Sequence, residues 1–201
     1  SSPFVLTKLG DHSLAESKDS VALEYYREAT GLQSDYIPAI LGEAEVWRVR
    51  RNYNGYFKSL HIFIEDEQTE TSAKTQYLGM LLQRSEPRFI QNHQPSIDSL
   101  YDYLVLHNPA DSNALKPAGM YYYATQRVDK AKSLLRQNML KNPGSLDATA
   151  TYVQMLGYQG DWDALIPAAD SALARWKSGL WKPTAHPIHC RKSLPLNRMM
   201  L

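Results

Sequence analysis

The chain has 201 residues, 43% apolar and 21% charged, the composition of a folded protein able to bury a sizeable core. Its 22 Lys and Arg balance 21 Asp and Glu to a net charge of +1, which removes the long-range field that would draw it to nucleic acid or an anionic membrane. A single cysteine, Cys190, excludes an internal disulfide framework, and no apolar run reaches the roughly 18 residues of a membrane span.

In chain order, Leu6, Leu9, Gly10 and Ser13 fall at helical spacing, followed by the turn Glu16-Ser17-Lys18-Asp19 and a second helical set, Ala22, Leu23, Tyr26 and Ala29. The arrangement then repeats. Ile40, Ala44 and Trp47 precede Arg51-Asn52-Tyr53-Asn54-Gly55, and Tyr56, Leu60 and Phe63 come next. A third stretch runs from Tyr77 to Arg84, is interrupted by Ser85 to Pro95, and resumes from Ile97 to Leu106. Leu115, Ala118-Gly119 and Tyr122 lead into Thr125-Gln126-Arg127, then Val128, Ala131 and Leu135. Tyr152-Val153 and Leu156 lead into Gln159-Gly160-Asp161, then Leu165 and Ala172-Leu173. From Leu180 onward Pro183, Pro187 and Pro195 forbid a long helix, so 180–201 reads as an irregular tail.

A fixed period links these segments. His107-Asn108-Pro109 returns 34 residues later as Lys141-Asn142-Pro143. Gly10, Ala44 and Leu78 keep that step, and Gly119 and Val153 rejoin it after an offset of 41, seven residues too many. Ala22, Tyr56, Ala131 and Leu165 behave alike, as do Tyr26, Leu60, Leu135 and Ala169, and Ala29, Phe63, Asn138 and Ala172. A 34-residue period of two helices marks a stacked helical repeat. The helices are too short to stand alone in water, so stability has to come from packing on neighbours. Small residues at Gly10, Ala44, Gly119 and Ala131 are expected where helix backbones approach, while Tyr56, Leu78 and Val153 in equivalent places widen the crossings.

These residues resemble the tetratricopeptide repeat (TPR) family. The fourth stretch carries its pattern best, with Leu115, Ala118-Gly119, Tyr122, Val128, Ala131, Leu135 and Pro143. The resemblance implies an all-α, right-handed superhelical solenoid of antiparallel helix pairs over 3–179. Its units lie near 3–36, 37–70, 71–111 with the insertion, 112–145 and 146–179. It further implies a non-catalytic scaffold or adaptor whose first helices line a concave groove for a segment or helix of another protein. By position the groove displays Asp11, Leu14, Glu45, Arg48, Thr75, Leu82, Asn113, Lys116, Met120, Tyr123, Asp147, Gln154 and Tyr158. One subgroup of the family clamps acidic C-termini with Lys, Asn and Arg. Lys116 and Asn113 fit that clamp, but Asp11, Glu45 and Asp147 stand where it needs basic or amide groups. The degenerate repeats, low cysteine content and tyrosine richness resemble bacterial cell-envelope repeat proteins, implying a periplasmic or outer-membrane-associated setting, with the cytoplasm as the alternative.

Two elements keep alternatives open. Phe89-Ile90 in the insertion is either a partner-binding loop or a plug in the core of the third unit. The C-terminal face, with Leu180 and Trp181, either folds back on the last unit or mediates self-assembly. Chemistry-bearing clusters are sparse. His186, His189 and Cys190 supply three donors in the proline-rich tail without visible supporting partners, so no metal and no cofactor is expected. Glu65-Asp66-Glu67 and Asp161-Trp162-Asp163 read as solvated residues at helix ends. Trp47, Arg48, Arg50, Arg51 and Tyr53 form a basic rim that pairs with acids of the same fold or meets an acidic peptide. The rival to a scaffold is a self-assembly module, and after it the regulatory part of an enzyme.

Overall fold

A computed structural model describes residues 2–177, apart from the Trp176 side chain; the 180–201 tail, with Leu180, Trp181 and the His186 to Cys190 cluster, lies outside them. The described chain is a succession of helices: α1 (Pro3–Ala15), α2 (Asp19–Leu32), α3 (Ile37–Val49), α4 (Tyr53–Glu65), α5 (Thr71–Arg84), α6 (Pro87–Asn92), α7 (Gln94–His107), α8 (Ser112–Ala124), α9 (Val128–Lys141), α10 (Leu146–Gln159) and α11 (Trp162–Lys177). It is an all-α, TPR-like solenoid of antiparallel pairs.

Local chemistry sets the ends of the helices. Five starts carry side-chain caps: Ser2 Oγ accepts from Val5 N at 3.3 Å, Asn52 Oδ1 from Gly55 N at 3.1 Å, Asp111 Oδ1 from Asn113 N at 2.8 Å, Ser145 Oγ from Ala148 N at 3.1 Å, and Asp161 Oδ1 from Ala164 N at 3.2 Å. The Asn-Pro echo has a job at the opposite ends. Asn108 Nδ2 donates to Leu104 O at 2.9 Å and Asn142 Nδ2 to Asn138 O at 3.2 Å, each a second donor beside the cap's own backbone N–H, and Asn142 Nδ2 also reaches Ala110 O at 3.1 Å in the loop before α8.

Inside four of the pairs the chain reverses through one left-handed residue: Ser17 (φ 61°), Arg51 (φ 56°), Gln126 (φ 64°) and Gly160 (φ 68°). Ser17 and Arg51 are 34 residues apart, as are Gln126 and Gly160. The same step from Arg51 falls on Ser85, which is extended instead (φ −95°, ψ 139°). Pro87 comes two residues later, and a residue ahead of proline is held extended, as Glu86 is (φ −67°, ψ 150°). A new helix, α6, begins where the second helix of the pair should, runs six residues and stops at His93. Pro95, with no N–H and a ring that would strike the carbonyl four residues back, forces the break, and α7 starts afresh. The seven extra residues are therefore α6 and its join.

Packing differs on the two sides of this break. In the N-terminal pairs, ideal Cβ atoms on Gly10 of α1 and Gly42 of α3 would lie 2.6 and 2.3 Å from the Tyr26 ring of α2, so one fully buried tyrosine is gripped between two glycines. Gly119 likewise admits Leu135, whose Cδ2 would be 2.6 Å from an added Cβ. Gly79 of α5 meets nothing within 4 Å. In keeping with that, α5 packs on α8, α4 packs on α7, and α5 and α7 do not form a close pair. The space is filled by large side chains, among them Tyr56, Phe57, Phe63, Leu78, Leu100 and Tyr101. One core runs from Ala44 to Ala168, a smaller one holds α1 to α3 together, and Trp47 touches both.

Polar ties reinforce the junction after the break. Tyr121 and Tyr122 donate to Asp98 (2.7 Å) and Asp102 (2.5 Å) of α7, while Arg127 pairs with Asp98 and Lys130 with Asp102. Burial and the adjoining carboxylates push both phenols well above their ordinary range, so they remain donors. The acidic clusters lie at helix ends, with Glu65, Glu67 and Asp163 exposed. Asp66 closes α4 and accepts from Thr69, and Asp161 pairs with Lys132 while capping α11 through Ala164 N at 3.2 Å.

Candidate functional site

Among the first helices of the pairs, α1 lies beside α3, α5 beside α8, and α8 beside α10, while α3 and α5 make no comparable approach. Two open clefts result, sharing the wall at Glu45. The first, about 630 Å³, lies between α1 and α3. Asp11, Asp19 and Glu45 bring its charge, with Leu14, Tyr26 and Leu41 beside them, and no basic side chain lines it. Tyr26 donates to Asp11 at 3.0 Å. Burial and that carboxylate raise its phenol far above the usual tyrosine range.

The second cleft, about 580 Å³, fills the space between α3 and α5 and reaches the turn before α4 and the insert α6. Arg48, Arg51 and Arg84 border it. Arg48 Nε donates to Glu45 at 2.8 Å, and Glu45 holds that guanidinium charged. Arg50, next in the basic rim, turns away to pair with Asp19 and donates to Ser20 at 2.7 Å. Tyr53, Met80 and Phe89 add apolar surface, and the phenols of Tyr56 and Tyr77 are pushed up by burial.

Phe89 is where the two sequence alternatives meet. Its ring lies edge-on to Tyr53 at 5.2 Å, parallel to Phe57 at 6.4 Å and 4.6 Å from His93, which itself sits 4.5 Å from Tyr53. Phe89 and Ile90 pack on the main core, and Phe89 also lines the second cleft. Desolvation among these rings lowers the His93 pKa and favours neutral imidazole.

The remaining groove positions divide. Lys116 Nζ is held by Asp147 at 2.6 Å, joining α8 to α10, and the Tyr123 hydroxyl accepts from Gln159 at 3.1 Å. Asn113, Met120, Gln154 and Tyr158 are at least partly exposed, Tyr158 to 81%. Thr75 departs from its expected place: it is buried, its hydroxyl turned back to Thr71 O at 3.1 Å. Leu82 is half-buried and packs on the core. Tyr77, Met80 and Arg84 as cleft residues, and Gly42 as the second grip on Tyr26, are not marked by the repeat pattern. The signal for the first three is the break itself, because a helix that loses its neighbour exposes whatever side chains faced that neighbour. Among the described residues no group of three His, Cys, Asp or Glu could hold a metal ion, and no helix is long and apolar enough to cross a membrane.

The fold places the chain among TPR-like helical-repeat proteins. It is similar to the crystal structure of MamA protein at 16% identity and a TM-score of 0.50, covering 92% of this chain and 98% of that one. YrrB, a TPR protein described as having an unusual peptide-binding site, shares 20% identity over 87% of each chain, with a TM-score of 0.43. PilF of Pseudomonas aeruginosa shares 12% identity over 86% of this chain and 75% of its own, with a TM-score of 0.44. No family model and no curated protein matches the sequence.

Proposed function

We propose that the protein is a non-catalytic scaffold that docks a segment or helix of another protein along the face formed by α1, α3, α5, α8 and α10. The observation that carries this reading is the character of the surface. Two of its clefts share one wall and open to solvent, and its rim carries Arg, Tyr and Met side chains, residues that favour protein contacts. An enzyme of this size would ordinarily gather its reactive groups in a closed pocket. The unit boundaries near 36, 70, 111 and 145 belong to the same reading.

Site-specific photocrosslinkers test it in the native cell extract. Benzoylphenylalanine at Met120 or Tyr158 captures a partner protein, and the same probe at Arg136 on α9 does not. Equal capture from all three positions contradicts the groove. A second reading, self-assembly, is favoured by one observation: Trp162 (60% exposed), Ile166 (56%) and Leu173 (48%) leave an apolar face on α11. It predicts a mass that rises with concentration in sedimentation velocity and is fixed at the monomer by Trp162→Glu with Ile166→Glu.

A further inference from the structure

We infer that the cleft between α3 and α5 takes an acidic peptide segment flanked by apolar residues, with its carboxylate held between Arg51 and Arg84. This rests on the scaffold reading and names the chemistry of the docked segment.

Along the solenoid, basic side chains commonly meet an acid from a different part of the stack: Arg50 with Asp19, Lys116 with Asp147, Arg127 with Asp98, Lys130 with Asp102 and Lys132 with Asp161. Arg48 is taken by Glu45 on its own helix. Arg51 and Arg84 border the cleft and form no ion pair among the described residues. They come from opposite walls, Arg51 from the left-handed turn after α3 and Arg84 from the last turn of α5. A guanidinium fork matches a carboxylate geometrically, and two forks facing one opening make a receptor for one anionic group.

The surroundings narrow the ligand. Glu45 and Glu86 also line the cleft, so a polyanion such as a nucleic acid would bring its excess charge against two carboxylates. A single carboxylate avoids that repulsion. Tyr53, Met80 and Phe89 offer apolar surface beside the arginines, which suits large apolar residues flanking the acid. The adjoining first cleft, acidic and without a basic lining residue, repels the same segment and so fixes which cleft it enters.

Fluorescence anisotropy on the full chain tests the assignment with two labelled probes, short end-capped peptides of Leu and Phe that carry one central Glu or one central Lys. The Glu peptide binds, and the Lys peptide binds at least about tenfold more weakly. Arg51→Gln with Arg84→Gln lowers affinity for the Glu peptide about tenfold while helicity and melting temperature hold, and Arg51→Glu with Arg84→Glu reverses the preference. Equal binding of both peptides, Glu-peptide binding indifferent to either double variant, or full displacement by millimolar inorganic phosphate would each overturn the inference. If the peptides fail while Met120 and Tyr158 still crosslink a partner, the acidic specificity is wrong and the scaffold stands. If crosslinking fails too, the scaffold reading falls with it.

Discussion

The first two helix pairs and the third differ in how the chain turns between the two helices, and the consequences reach the surface. In α1 to α4 a left-handed residue reverses the chain, and Gly10 and Gly42 let Tyr26 fill the narrow space between helices. In the third pair Ser85 is extended, Pro87 and Pro95 divide the next stretch of chain into α6 and α7, and Leu78 stands in the register that Gly10 opens. The regular region keeps α1 against α3, with an acidic cleft at their edge; the broken one leaves α5 away from α3 and lines the gap with arginines and aromatic rings. A repeat protein thus acquires an individual binding surface where its period fails.

The same substitution should act in opposite directions in the two regions. Gly42→Ala drives a methyl into the Tyr26 ring and costs about 3 kcal/mol, with Gly10→Ala somewhat less, whereas Gly79→Ala meets open space and gains about 0.5–1 kcal/mol of helix propensity. Urea unfolding reads both, and a loss at Gly79 would mean that α5 is packed as tightly as α1.

Phe89→Ala is the next largest effect. The side chain is partly exposed, so about 2 kcal/mol is expected rather than the full cost of a buried phenylalanine. A change near zero would return Phe89 to the role of a free binding loop.

Much of the fold is legible in the sequence. The 34-residue registers identify the helix pairs, the close-approach positions Gly10 and Gly119, and the place of the irregularity, because repeats and backbone-contact residues leave local marks. The features that escape depend on three dimensions. Gly42 lies outside the aligned registers and is needed because a tyrosine from the preceding helix happens to reach it. Thr75 belongs by position to the groove, but it is buried with its hydroxyl on Thr71 O, as Thr7 two periods earlier is buried with its hydroxyl on Pro3 O. Arg50 and Arg51 are adjacent in the basic rim, yet one meets Asp19 across two helix pairs and the other meets no acid among the described residues, a distinction that only the fold draws.

Turn chemistry gives smaller contrasts. Gln126→Gly relieves a left-handed conformation and gains about 0.5 kcal/mol after the added freedom of the unfolded chain is counted, while Ser85→Gly costs about 0.5 kcal/mol because φ is already negative there. Parallel gains in thermal denaturation would contradict the different turns.

The smallest effect is a pH dependence confined to the insert. Desolvation holds the His93 pKa below its unfolded value near 6.5, so below that pH the unfolded chain binds the proton more readily. The His93 contribution to stability is present above pH ~6.5 and is lost as pH falls through the folded value. His93→Phe flattens stability over that window, and an unchanged slope assigns the dependence to other groups.

The most direct measurement asks whether the insert holds the cleft open. With Cys190 replaced by serine, spin labels at Val49→Cys and Met80→Cys report the separation of α3 and α5 by pulsed electron resonance, in the otherwise native chain and in one lacking residues 87–93. The deletion is expected to restore the 34-residue phase, to bring α3 and α5 to the spacing of packed helices, about 8–10 Å between axes, and to abolish binding of the Glu peptide. An unchanged distance in a deletion variant that keeps its helical circular dichroism would contradict this expectation.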